Sequence, residues 1–226
     1  MNKDEHKLDN PVWHSLEEAH QEFSVTYGSL KCYQADICPF GGYLGSNRIA
    51  DQIDAYAALI DNFYIVGERP EFSSRLKLDK ELVCLQMVID HSVDLDILED
   101  VVPLSNHRDA LFELVNMVQP GYFKRRTSLL GNYYGIFKNN ELVAVTGERM
   151  KMNGLTEVSA VVTHPRHVGN GYAKQLVGYT VEKILEQGDT PFLHVTETNT
   201  GAIGLYEGLG FKTRRKISFW NFVQSF

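Results

Sequence analysis

Gly169 and Gly171 stand between a β-branched run and a helical pattern. The run from Glu157 to Thr163 alternates as a half-buried strand does. Pro165 has no N–H to give a ladder and ends the strand at about His164. After the glycines, Ala173, Leu176, Val177, Thr180, Val181, Ile184 and Leu185 recur on one helical face, and Gly188 closes the pattern. A strand, a glycine turn and the start of a long helix make an anion site. Free backbone N–H groups and the positive end of the helix dipole meet at one spot, and glycines let a phosphate come close. A Walker loop would need G-x-x-x-x-G-K-[ST], which is missing, and Lys174 takes the third glycine position of a dinucleotide fingerprint.

What stands there is R-x-x-G-x-G, as Arg166-His167-Val168-Gly169-Asn170-Gly171, straight after a strand end of V-V-T-H-P. Taken alone, it reads either as a phosphate loop or as a structural glycine turn. A second stretch, Asn199 to Phe211, has the form N-x-x-A-x-x-x-Y-x-x-x-G-F and follows a strand from Phe192 to Val195. The two stretches together resemble the GNAT superfamily of acyl-CoA-dependent N-acyltransferases, over about Ile97 to Trp220. The resemblance implies an α/β (α+β) fold, a mixed and mostly antiparallel sheet flanked by helices. It also implies acetyl-CoA as acyl donor and a primary amine as acceptor.

Carried onto this sequence, the family pattern puts the pyrophosphate on the backbone of Val168, Gly169, Asn170, Gly171, Tyr172, Ala173 and Lys174. Arg166 matches an Arg/Gln position, whereas many relatives carry Arg where this chain has Val168, which removes one charge contact. The strand before the loop is implied to open away from its neighbour. The backbone of Val161, Val162 and Thr163 would then hold the pantetheine and the acyl oxygen. Tyr206 is the implied acid for the leaving thiolate, since a phenol is protonated at neutral pH. Asn199 lies two helical turns before it, on the same face.

The amine must lose a proton, and three groups compete to accept it: Glu157, Glu148 and His194. The bland reading of Glu148 is an ion pair with Arg149. No cysteine falls near either signature, so the expected route is direct attack in a ternary complex. The rival reading is a protein that binds acetyl-CoA and senses it, or serves as an interaction protein, with little turnover. The acceptor is either a small molecule or a partner protein, and the oligomeric state is not encoded.

Composition narrows the classes. At 226 residues the chain buries roughly 70–75% of its unfolded surface, enough for one large domain or two small ones. A net charge of -7 argues against nucleic acid as a partner, and no apolar run is long enough to span a membrane. Cys32, Cys38 and Cys84 form no C-x-x-C pair, so neither a zinc site nor any other metal is expected, and a reducing cytoplasm fits.

The elements that must position these groups follow from pattern. We divide the chain into residues 1–92, a smaller α/β lobe, and residues 93–226, the acetyltransferase-like part. The first lobe reads as a degenerate copy of the second or as an unrelated unit. In it, Leu30 to Ala35, Phe63 to Val66 and Leu82 to Ile89 are expected strands, the last central in a sheet. Gly41 to Gly45 reads as a turn, and Ser46 or Asn47 caps a helix. In the second part, Ile97 to Leu104 is a strand and Ser105 or Asn106 caps the next helix. Asn139-Asn140 and Asn153-Gly154 turn two hairpins. His164 and His167 read as surface residues, Trp13 as a core anchor, and Arg214, Arg215 and Lys216 as an exposed basic strand or as further phosphate contacts.

Overall fold

The computed structural model describes residues 4–225. Its elements, in chain order, are α1 (Pro11–Glu17), β1 (Ser24–Tyr27), β2 (Leu30–Tyr33), β3 (Phe40–Tyr43), α2 (Ala50–Ala57), β4 (Asn62–Val66), β5 (Leu76–Val88) and β6 (Val101–Pro103). There follow α3 (Arg108–Val118), β7 (Tyr133–Lys138), β8 (Glu141–Met152), β9 (Leu155–Thr163), α4 (Tyr172–Glu186), β10 (Thr190–Thr196), α5 (Thr200–Gly208) and β11 (Lys212–Gln224). The strands form one 11-stranded sheet in the order β1-β2-β3-β4-β11-β5-β10-β9-β8-β7-β6. Pairing is antiparallel except at β3–β4 and β9–β10. This is the mixed, mostly antiparallel sheet with flanking helices that the sequence motifs imply.

Local chemistry explains the path. Asn139 and Asn140 both adopt positive φ, 51° and 63°, which turns β7 back onto β8 with the twist a hairpin needs. Gly154, at φ 82°, turns β8 into β9. From β9 the chain crosses through α4 to β10, and a crossover of this length is what a parallel pair requires. Alternation along β7 sorts the two faces. Tyr133 points to a cluster with Leu111, Leu114 and Val115 of α3, while Tyr134 and Ile136 point to Tyr172 and Leu176 of α4. The sheet is therefore covered on one face by α4 and α5 and on the other by α3 and α1.

The division expected at residue 92 falls in an irregular stretch, 89–100, and the sheet runs across it. β5 pairs with β10 on one edge and β11 on the other, so it is central, as its apolar run suggests. The first part is also stitched to β8 by buried polar groups. Ser15 Oγ accepts from Lys151 N (3.0 Å) and meets His20 Nδ1 and the Tyr33 hydroxyl, while His20 Nε2 reaches Leu130 O (2.9 Å). Burial pushes His20 down to about 4, so it is neutral in this contact.

Some local expectations are corrected. Gly41 and Gly42 lie inside β3 rather than in a turn, because that strand is crowded on both faces. A Cβ at Gly41 would stand 2.6 Å from Cys32 Sγ, and one at Gly42 2.6 Å from Asn10 Oδ1. Neither Ser46 nor Asn47 caps α2, whose N-cap position is Ile49 and has no side-chain cap; Ser46 Oγ accepts from Arg48 N instead. Likewise the N-cap position of α3 is His107, with no cap from Ser105 or Asn106. β5 starts six residues before the expected Leu82, and β6 keeps only Val101–Pro103, near the end of the expected 97–104 strand. Trp13 is half-buried, with Lys31 Nζ 5.2 Å from its ring.

Candidate active site

β9 and β10 run side by side only as far as the pair Phe192↔Glu157 and then part. The cause is visible in β9. Ala160 sits at φ 51°, a conformation costing an L-residue roughly 1–2 kcal/mol, and the register with β8 shifts between Val145 and Gly147. The strand thus bends off its neighbour and leaves a backbone edge without a strand partner. A cleft of ≈ 440 Å³ fills the fork and is lined from both faces of the sheet. Val161 lines it, Val162 is packed in the α3 core, and Thr163 is not among the lining residues. Ser159 and Ala160 line the fork instead. They were missed because nothing in the sequence marks Ala160 for positive φ.

The glycine loop closes one end of β9. His164 N donates to Val143 O (2.8 Å) and its Nδ1 accepts from Arg166 N (3.1 Å), so His164 is a buried loop anchor, not a surface residue. Asn170 Nδ2 donates to His167 O (2.9 Å) and holds the turn. Gly169 and Gly171 take φ of 89° and 76°, and no atom lies within 4 Å of where a Cβ would stand on either. Their open side faces solvent at the start of α4, whose first N–H groups have no intrahelical acceptor. Ala173 lines the cleft, Tyr172 is buried with Lys138 Nζ 5.6 Å from its ring, and Lys174 is exposed. Val168 is 70% exposed. Arg166 turns outward to the Glu141 carboxylate (3.0 and 3.1 Å).

α5 supplies the opposite wall. Asn199 is its N-cap, with Oδ1 accepting from Ala202 N (3.2 Å), a contact worth about 1 kcal/mol. Tyr206, 7% exposed, packs edge-on to Phe211 with ring centroids 5.9 Å apart and lines the cleft. Its hydroxyl has no hydrogen-bond partner among the described residues. Burial pushes its pKa up to about 12, so it is a proton donor throughout the neutral range.

On the other face of the fork lies a buried polar chain. Arg149 donates Nε–H and Nη2–H to Glu157 (2.8 and 2.7 Å), and Met150 N also donates to Glu157 (3.3 Å). His194 Nδ1 is 2.8 Å from Glu157 Oε1, and its Nε2 is 3.1 Å from Gln86 Nε2. Gln86 Nε2 also donates to Leu8 O, and Gln86 Oε1 accepts from Arg214 Nη1. With that amide orientation His194 Nε2 accepts from Gln86, and Nδ1–H is left to donate to Glu157. Burial would raise the Glu157 carboxyl, but the charge and hydrogen bonds of Arg149, helped by His194, overcome this and hold it at about 2.

The three base candidates are thus separated or engaged. Glu148 does not line the cleft; its carboxylate is on the α4 side, held by Asn132 N (3.1 Å) and close to Gln187 Nε2 (3.4 Å). Arg149 pairs with Glu157, not with Glu148. Glu157 is a low-pKa ion-pair partner, and the free ring nitrogen of His194 is spent on Gln86. Arg214 and Arg215 reach Asp9, and Lys216 reaches Glu197, so this basic strand is far from the loop in its contacts. Arg149, Cys84 and Phe40 are among the cleft residues that carry no signature in the sequence. Cys84 comes from β5, opposite Thr196 in register, and burial pushes its thiol up to about 12 despite the opposing pull of Arg149.

A family model described as FR47-like protein matches residues 133–220. No curated protein matches the sequence. Among solved structures, one from Novosphingobium aromaticivorans, described as a GNAT-family acetyltransferase, is 29% identical and superposes with a TM-score of 0.86, over 98% of this chain and 100% of that one. A GCN5-related N-acetyltransferase-like protein from Streptococcus suis is 14% identical, with a TM-score of 0.67 over 99% of this chain and 98% of that one. A GCN5-related N-acetyltransferase from Kribbella flavida is 13% identical, with a TM-score of 0.64 over 100% and 97%. The last two bear on the fold alone. All three extend through residues 1–92 as well as the second part.

Proposed function

We propose that this chain is an acetyltransferase of the GNAT superfamily, a reading supported by the FR47-like match over residues 133–220 and the likeness to the Novosphingobium aromaticivorans structure, and that it moves an acetyl group from acetyl-CoA to a primary amine by direct attack. One observation carries the reading: the fork between β9 and β10 holds a cleft lined by Tyr206, and β9 runs on from that fork into the glycine loop at the start of α4. In this reading the loop N–H groups from Val168 to Lys174 hold the pyrophosphate. The unpartnered edge of β9, around Ser159 to Val161, holds the pantetheine and the thioester oxygen.

The amine nitrogen attacks the thioester carbon, the C–S bond breaks, and the leaving thiolate takes the Tyr206 proton. The tyrosinate is then reprotonated by the proton that the amine sheds to water in the open cleft. Glu157 does not take that proton: a carboxylate held at about 2 is a weak base, and its place is to fix Arg149 and His194. Cys84 lines the same cleft, but a thiol held at about 12 is protonated and a poor nucleophile, which favours direct attack over an acyl-cysteine. Free, buried Cys32, Cys38 and Cys84 suit a reducing cytoplasm.

The test is release of free thiol from acetyl-CoA with a panel of primary amines, alongside calorimetry with CoA. Amine-dependent release is expected. Tight CoA binding with no transfer to any amine, small or protein-borne, would make the protein a sensor instead.

A further inference from the structure

Among the described residues that line the cleft, Arg149 is the one charged side chain. It stands at the apex of the fork, since its partners are Glu157, in the last paired position of β9, and through Glu157 the His194 ring on β10. The Arg149 side chain is 17% exposed, its Cζ lies 4.8 Å from the centroid of the Phe40 ring, and Nη1 has no hydrogen-bond partner among the described residues. Nε–H and an Nη2–H are therefore fixed by Glu157, and Nη1 of this cleft-lining side chain is left for a ligand. Glu157 itself has nothing to offer a ligand, being fully buried and already accepting from Arg149, Met150 and His194.

The electrostatic consequence is direct. A polyamine or a lysine side chain, with a second cation or a long chain to place, meets a positive group and no carboxylate. An anion meets a pre-oriented guanidinium in a low-dielectric wall, where charge-assisted hydrogen bonds are strongest. The rest of that wall is apolar and aromatic: Phe40, Tyr122, Phe123 and Phe219. Distance sets the remaining constraint. In the transferase reading above, on which this rests, the thioester lies on the β9 edge next to the apex. The acceptor's anionic group and its nucleophilic nitrogen must therefore be close neighbours.

We propose that the acceptor is an α-amino acid with an apolar or aromatic side chain, its carboxylate bound by Arg149 and its side chain packed on the aromatic wall. The α-carbon places carboxylate and amine next to one another, as a guanidinium and a strand edge lining the same cleft require. Arg149 is thus the specificity-determining residue, kept in position by Glu157.

The experiment compares phenylalanine and leucine with phenethylamine and isoamylamine, the same side chains without the carboxylate. Charge-assisted hydrogen bonding favours the amino acids by roughly 10–10²-fold in kcat/KM. The double variant Arg149→Gln with Glu157→Gln removes the buried pair together, so that no lone charge is left behind, and should bring that ratio to within a few-fold of one. Equal use of the bare amines by the unaltered protein, or a ratio the double variant leaves intact, would overturn the proposal. Should the variant not fold, calorimetry of phenylalanine and phenethylamine on the CoA-saturated protein decides: equal affinity overturns it, preference for the amino acid supports it. Transfer to none of the four compounds, with carboxylate preference kept in calorimetry, would count against transfer and not against recognition by Arg149.

Discussion

At the scale of single residues, Tyr206 separates catalysis from packing. Its ring is fixed by Phe211 and Leu209, while its hydroxyl is bonded to no described residue. Tyr206→Phe therefore keeps the packing and removes only the donor. Turnover should fall by roughly 10²–10⁴ with CoA affinity within a few-fold and melting unchanged; a variant as active as the parent would return Tyr206 to the core. Tyr206, Asn199, Gly169 and Gly171 were legible because each sits in a spaced motif with a chemical reason for its residue type. Arg149 and Cys84 were not, since each reads locally as an ordinary strand residue. Only the pairing of β5, β8, β9 and β10 brings them to one cleft. Glu157 and Glu148 read alike as carboxylates on neighbouring strands, yet one is locked by Arg149 and the other faces α4. A side chain's face in a bulged strand is not readable from alternation, because each bulge resets it.

At the scale of elements, the strand–loop–helix unit from β9 to α4 was legible almost to the residue, because proline and glycine punctuate both of its ends. The same unit yields a prediction. Gly171 is the N-cap of α4 in a left-handed conformation with open space beside it. Gly171→Glu costs roughly 1–2 kcal/mol of backbone strain and puts a carboxylate where an anion is to bind. CoA affinity measured by calorimetry should drop at least ~10²-fold while the protein stays folded, and Gly171→Ala should lose much less. Unchanged affinity in Gly171→Glu would take the loop out of the cofactor site. The helix starts of α2 and α3 were less legible. A serine or asparagine near a helix start is a preference worth about 1 kcal/mol, easily outweighed by where the sheet places the first turn.

At the scale of the whole molecule, the sheet joins what the sequence divides at residue 92. The polar stretch from Asp90 to Asp96 suggested that boundary, and residues 89–100 carry no strand or helix. The sharing of β5 was not, since nothing local tells a strand which distant partner it will take. A fragment of residues 93–226 lacks β5, so β10 and β11 lose the strand that lies between them. It should show no cooperative melting transition and no CoA binding; a fragment that melts cooperatively and binds would make residues 1–92 an appendage. The same arrangement has a consequence in time. β5 leaves the ribosome well before either of its neighbours, and the ~125 residues that separate it from β11 take roughly 6–25 s to synthesise at ~5–20 residues per second. For that interval an apolar strand with two bare edges waits in a crowded cell, so the yield of native protein is set by how well the nascent chain is sheltered before its last strand arrives.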